Sequence, residues 1–270
     1  MKKNMLVVCL LVFCALGVAL VSAQDGVKKK RPLPHDYGKV VMNNFSEKAN
    51  MAPVVFDHWL HRAKYTCRLC HVDLAFGMKA GSTGVRAADN MKGYYCGTCH
   101  NGNMAIENRK VFESCAKTFS TVDERKRCDR CHSQGKSVNR QYDFYAFTEK
   151  FPKERFGNGI DWEKAETTGQ IKLLDYIEGV SIKKKSLAAQ EDFALETKLK
   201  GMPDIIFSHK KHTVWNGCEV CHPEIFVGVK KGSTTYSMVE IFAGKYCGVC
   251  HVTVAFPLLD CQRCHTKQVG

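Results

Sequence analysis

The chain lacks what several common enzyme classes need. It has no glycine-rich loop of the kind that cradles phosphates, which argues against nucleotide-driven chemistry. It has no carboxylate pair in a supporting context, which argues against a hydrolase built on paired acids. Acidic residues are sparse, with 27 Asp and Glu against 40 Lys and Arg, for a formal net charge of +13. Past residues 5–21 no apolar run approaches the length of a membrane-spanning helix. Histidine is scarce outside one motif: of 11 in all, only His35, His58, His61, His209 and His212 stand apart from it.

Cysteine is in excess, at 15 residues. Twelve of them form six copies of Cys-x-x-Cys-His: Cys67/Cys70/His71, Cys96/Cys99/His100, Cys128/Cys131/His132, Cys218/Cys221/His222, Cys247/Cys250/His251 and Cys261/Cys264/His265. This is the attachment signature of a c-type haem. Each cysteine bonds one vinyl group through a thioether, and the histidine that follows reaches the iron from the proximal face. Zinc sites pair two Cys-x-x-Cys units, or one with a spaced histidine pair, and do not require a histidine after every second cysteine. Six matches in one chain favour haem over zinc, disulfide and dithiol chemistry together.

The N-terminus agrees with this on separate grounds. Lys2 and Lys3 precede an apolar run from Met5 to Val21, and Val21-Ser22-Ala23 closes it with small residues. That pattern reads as a signal peptide over 1–23, cleaved before Gln24, with an uncleaved anchor as the alternative. Cys9 and Cys14 lie inside the run without the preceding small residue that lipid attachment wants. Export also suits haem attachment of this type, which takes place beyond the cytoplasmic membrane.

About 247 residues then serve six haems, roughly 40 each, too few for a conventional aliphatic core around every porphyrin. Haem faces are expected to take its place, with short helices and long irregular connections. Six haems also bring twelve propionates, which offset the basic excess. Positive charge is therefore read as counter-charge to the cofactor and not as a nucleic-acid footprint.

The second half repeats the first at an offset of 151 residues. Val54-Val55-Phe56-Asp57-His58 aligns with Ile205-Ile206-Phe207-Ser208-His209, and His61 with His212. Gly81-Ser82-Thr83, Gly93 and Tyr95 recur identically. The register breaks where Cys99 to Cys128 covers 29 positions against 11 for Cys250 to Cys261. Two triheme modules follow, at 24–140 and 204–270, joined by a haem-free connector over 141–203. Within the connector, Asp161 as N-cap, Trp162 to Ala165 and a closing Gly169 predict a short helix, with a turn at Asn158-Gly159 before it. Lys183 to Lys185 reads as solvated surface. Tyr142, Phe144, Tyr145, Phe147, Phe151 and Phe156 are expected to pack over haem edges and fix the modules together.

The pattern Phe-x-His-x-x-His stands nine residues ahead of the first motif in each module. A three-residue step on a helix sends both imidazoles to nearly one face, where they can serve two neighbouring haems. With three Cys-x-x-Cys-His units following, both modules resemble the class III multihaem c-type cytochromes of the triheme c7 type, the Geobacter-like hexahaem proteins of periplasm and outer surface. The resemblance implies a mainly irregular fold with short α-helices, arranged as tandem triheme modules with haem-dominated cores. It also implies the distal ligands: His58 opposite His71, His61 opposite His100, His209 opposite His222 and His212 opposite His251.

The third haem of each module departs from the family pattern. Members of the family often carry a histidine four residues before the second motif, and here Lys92 and Ala243 hold those positions. Twelve axial positions against 11 histidines leave at least one iron with a different ligand. Met91 and Met238 are the best substitutes, since their aligned positions differ by one helical turn and some relatives use a methionine there. Ordinary packing is the alternative for both. Met78, Met104, Cys115 and His35 compete in the first module.

Irons closed by two histidines pass electrons but offer substrate no site. The expectation is a non-enzymatic electron carrier working through the periplasm or out to the cell surface, and the resemblance implies a role in anaerobic respiration. Other redox proteins would be its donor and acceptor, with no nucleic-acid partner and no membrane span after cleavage. A polymeric cytochrome filament, with His35 reaching a neighbour's haem, and a reductase acting at an open third haem are the alternatives. Mass spectrometry of the mature protein should find Gln24 at the N-terminus and six covalent haems. Fewer than six on correctly matured protein would show that a motif has been misread.

Overall fold

In the computed structural model the described residues are 31–106, 108–115, 126–133, 144–185, 188, 190–197, 199–228 and 230–267. The expected signal peptide lies outside them, as do Tyr142 and residues 123–125 of the insertion. Residues 33–267 belong to one compact unit. Regular structure is scant, as the sequence implied. Strands β1 (Lys39–Met42) and β2 (Val54–Asp57) pair antiparallel, with Val40 opposite Phe56. Strands β3 (Ala105–Ile106) and β4 (Arg109–Lys110) form a short hairpin. Strands β5 (Phe193–Leu195), β6 (Asp204–Phe207) and β7 (His265–Lys267) make an antiparallel sheet with β6 in the middle. Among the described residues the α-helices are α1 (His58–Arg62), α2 (Ala87–Met91), α3 (Cys96–Cys99), α4 (Phe144–Thr148), α5 (Trp162–Thr167), α6 (His209–Asn216), α7 (Met238–Phe242) and α8 (Gly248–His251).

The sequence repeat survives as a repeat of contacts. A strand leads directly into each histidine-bearing helix, β2 into α1 and β6 into α6. The third motif of each half then returns to lie beside that strand. Val54 bridges His132, and the Val55 N–H donates to the Cys131 carbonyl at 2.7 Å. In the second half Ile205, the equivalent of Val54, faces His265 across β6 and β7. Backbone hydrogen bonding thus ties the last motif of each half to the segment that carries the distal histidines.

The second motifs share a tighter constraint. A Cβ on Gly97 would stand 1.8 Å from the Asn90 carbonyl oxygen, and one on Gly248 would stand 1.9 Å from that of Ile241. Cys-Gly-x-Cys is therefore required where the motif lies against the end of the preceding helix. The residue just before each of these motifs, Tyr95 or Tyr246, has a left-handed φ of 50° or 52°. For a bulky residue this costs about 1–3 kcal/mol, and its presence at equivalent positions marks a turn the site demands.

Helix α5 forms as its sequence predicts: the Asp161 carboxylate accepts from the Lys164 N–H at 2.9 Å, and Gly169 closes the segment at φ +74°. It sits in a small, largely aromatic protein core. Trp59, Ala63, Phe144, Ile160, Trp162, Ala165 and Ile171 are buried together, with Leu60, Phe147, Phe151, Leu173 and Trp215 packed around them. Trp59 meets Phe144 edge to face at 5.3 Å, and Phe151 meets Trp162 at 5.9 Å. Of the connector aromatics, Phe144, Phe147 and Phe151 pack in this core, Phe144 and Phe147 against Trp59 and Phe151 against Trp162. Lys183, Lys184 and Lys185 are exposed, with Lys184 paired to Glu219. Replacing Trp59 by Ala should cost about 3–5 kcal/mol, as for other buried aromatics. Thermal unfolding should show the loss with covalent haem content unchanged; an unmoved transition would deny the cluster a structural role.

Candidate functional site

Ten of the 11 histidines share one arrangement: Nδ1 lies within hydrogen-bond distance of a main-chain carbonyl. The partners of the histidines in the first two motifs of each half are phenylalanines. His71 meets Phe76 O at 2.8 Å, His100 meets Phe112 O at 3.1 Å, His222 meets Phe226 O at 2.7 Å and His251 meets Phe256 O at 3.1 Å. The third motifs use equivalent residues, with His132 on Ala52 O at 2.6 Å and His265 on Pro203 O at 2.8 Å. Outside the motifs, His61 and His212 reach back one helical turn to Asp57 O and Ser208 O, at 3.1 and 2.7 Å. His58 meets Gly38 O at 2.7 Å and His209 meets Glu191 O at 3.0 Å.

A carbonyl only accepts, so the proton belongs on Nδ1 and the Nε2 lone pair is left for a metal. Such a second-shell bond is the usual partner of a ligating histidine. His35 is the exception, with its Nδ1 3.3 Å from the Tyr145 hydroxyl and its Nε2 3.7 Å from an Asp36 oxygen.

The rings also come together in pairs. His58 and His71 stack in parallel, with centroids 6.5 Å apart and planes at 5°. His61 faces His100 at 6.4 Å and 54°, and His212 faces His251 at 6.3 Å and 59°. Imidazole nitrogen binds a first-row metal at about 2 Å, and the ring centre stands about 1 Å further out, so two imidazoles on one metal place their centres roughly 6 Å apart. The three pairs have that spacing. His209 is different: among the described residues its ring contacts are Phe193 at 5.2 Å and Phe207 at 5.0 Å rather than His222.

Burial favours the neutral imidazole that a ligand must be. It holds His61 down at about 3 and His58 and His251 at about 4, and it lowers His71, His100 and His212 as well. Burial pushes the thiols the other way, Cys70, Cys96 and Cys250 up to about 12 and Cys131, Cys221 and Cys264 to about 11. Dithiol redox sites need lowered thiol pKa values, so these are poor redox pairs. All 12 motif cysteines are unpaired as disulfides. Among the described residues no three of His, Cys, Asp and Glu converge to hold a bare metal ion. What they surround is space: one mainly apolar cavity of about 2100 Å³ is lined by cysteines from all six motifs and by both histidine helices. This donor set fits covalent haem: paired cysteines line a mainly apolar cavity, and imidazoles stand in facing pairs.

The third sites are less complete. Met238 opens α7, lines the cavity and is 37% exposed, whereas Met91 ends α2 at 40% exposed and is not part of the lining. Of the rivals, Met78 lines the cavity and Met104 faces a separate pocket. Cys115 lies beside the third motif of the first half, close enough to Cys131 and Cys96 to affect both. Its sulfur is 3.7 Å from the Asn90 amide nitrogen. Among the described residues no helix is long and apolar enough to cross a membrane.

The chain was also compared with known families and solved structures. The family model for cytochrome c7 and related cytochrome c matches residues 54–134 and 205–267. Among solved structures, the C-terminal hexaheme fragment of GSU1996 is 24% identical over 85% of this chain and 97% of its own, at a TM-score of 0.26. The N-terminal hexaheme fragment is 23% identical over 86% and 99%, at 0.25. The dodecaheme cytochrome c GSU1996 is 20% identical over 84% and 73%, at 0.26. No curated protein sequence matches the chain.

Replacing His58 by Ala should open one iron, adding a high-spin signal and carbon monoxide binding without loss of covalent haem. The same is expected of His209, despite its wider setting. An unchanged low-spin spectrum in either variant would strike that residue from the ligands.

Proposed function

The chain belongs to the cytochrome c7 family, and on that footing we propose that it is an exported electron carrier with six covalent haems in two groups of three. Haem iron alternates between ferric and ferrous forms and so accepts and passes on one electron at a time. The chain's own residues anchor, orient and tune. Twelve cysteines fix the porphyrin edges, and His71, His100, His132, His222, His251 and His265 take the proximal positions. His58, His61, His209 and His212 take four distal positions, and Met91 and Met238 are assigned to the other two. The shared Nδ1-to-carbonyl contact of ten histidines carries this reading, since it commits each Nε2 to a metal and is absent at His35.

Two imidazoles per iron leave no open position for substrate at four of the sites, which favours electron transfer over catalysis. Residues 1–23 direct the chain across the cytoplasmic membrane, towards the periplasm or the cell surface. Its partners there are other redox proteins. The excess of Lys and Arg is balanced by propionates, which leaves no reason to invoke nucleic acid.

Thioether sulfur favours ferrous iron more than a second imidazole does, so methionine ligation raises the potential. The protein should titrate as four low-potential haems and two higher ones, and the ferric form should show a weak sulfur-to-iron band in the far red. Met238→His should draw one haem into the lower group and leave the others nearly where they were. Six haems in one narrow low range, with no far-red band, would defeat the methionine assignment.

A further inference from the structure

Arg62 ends helix α1, one residue after the distal histidine His61. Its side chain leaves the first module: the guanidinium carbon stands 5.4 Å from the ring centre of Trp162, in the connector, and 5.0 Å from that of Trp215, in the second module. Nη1 donates to the Val254 carbonyl at 3.1 Å, three residues past the proximal His251. Arg62 is half-buried and lines the cavity. Its charge is felt at His58 and His251, and it lies close to Cys67 and Cys250. Those four residues belong to two haem sites, the first of one module and the second of the other. The same two modules approach each other at their cysteines, since Cys67 is within electrostatic reach of Cys221 and Cys250.

Other arginines in the interior have acids. Arg68 bonds Asp73 at 2.9 Å and Asp175 at 3.0 Å, and Arg263 stands 3.4 Å from Glu154. Among the described residues no carboxylate pairs with Arg62. Two indoles lie within cation–π range of it, and one carbonyl takes one of five N–H donors. Faces stacked on aromatics gain cation–π energy but satisfy none of the edge donors. A partly buried charge without a counter-ion still carries a desolvation cost, and the guanidinium fork matches a carboxylate in shape. The cavity that Arg62 lines is the one the motif cysteines surround, so haem propionates are the carboxylates available there. The position is specific to the first module, because its equivalent 151 residues later is Thr213.

We propose that Arg62 binds a haem propionate where the two triheme groups meet, and that it holds the haems at Cys67/Cys70 and Cys247/Cys250 at raised reduction potential. A cation beside an iron disfavours the ferric form, which carries one more positive charge, and the effect is strong where water is excluded. Arg62 thereby biases electrons towards the junction between the groups. The inference rests on the six-haem reading given above.

The test uses the full haem-loaded protein, with haems counted by mass before each redox titration. Arg62→Gln should shift two haems to lower potential and leave four in place. Arg62→Lys, the milder change, keeps the charge and should keep both haems near their original potentials. Unmoved potentials in Arg62→Gln with only a lower melting temperature would make Arg62 a packing clamp and overturn the proposal. A shift of equal size in both variants would overturn it as well. A structure of the loaded protein should place a propionate oxygen within hydrogen-bond distance of an Arg62 nitrogen. A guanidinium facing only Trp162, Trp215 and Val254 would refute the binding site. Fewer than six haems in the unmodified protein would count against the six-haem reading instead, and the count separates the two failures.

Discussion

The rest of the structure depends on a hydrogen bond from imidazole Nδ1–H to a main-chain carbonyl. It fixes the tautomer, orients the ring and leaves one lone pair for a metal. Each bond is worth only about 1 kcal/mol to stability, but loss of such an outer partner typically costs 10–100-fold in metal affinity. Because the acceptor is backbone, the chain's course has to be set to deliver it. Gly38 shows how closely: its φ is +72°, and a Cβ there would stand 3.1 Å from the Cβ of His58, the ring its carbonyl serves. The long irregular connections hold these acceptors in place, which is a stricter task than joining helices.

Equivalence between the halves is deepest where the ligands are held. Ala52 and Pro203, Asp57 and Ser208, Gly97 and Gly248, and Tyr95 and Tyr246 do the same work 151 residues apart. Side-chain identity matters little at the first two pairs, since only a carbonyl is used. Divergence is greatest on the faces that meet the connector. Trp59, Arg62 and Trp215 answer to Lys210, Thr213 and Lys64 in the other half. Residues that break the repeat are therefore the ones that join the modules, and they surround the core built on α5.

Much of the candidate site was legible beforehand because c-type haem attachment is local chemistry. Two cysteines and a histidine within five residues announce it, and the Phe-x-His-x-x-His pair places two more ligands on one short helix. The α5 helix was equally readable, since Asp161 and Gly169 act through their immediate neighbours. The carbonyl acceptors left no signal in side-chain type. The connector core was hidden for another reason: aromatics that can cover a haem can equally pack on indoles, and only the fold brings Trp59 to Phe144 and Phe147. Arg62 carries no motif of its own; only the fold sets it between Trp162 and Trp215. Met238 and Met91 differ in their access to the cavity, a distinction that alignment of the halves does not make.

Ring-plane angles give the most direct test of the claim that these histidines face one another across iron. Ferric haems with parallel axial imidazoles give rhombic low-spin resonances, and those with strongly tilted planes give a single large-g feature. The pair at 5° and the pairs at 54° and 59° must therefore differ. Low-temperature electron paramagnetic resonance of the fully oxidised protein should show both kinds of low-spin signal, a rhombic one from the site of His58 and His71 and large-g features from the sites of His61/His100 and His212/His251. A dominant high-spin signal, or uniform rhombic resonances from every haem, would contradict the account.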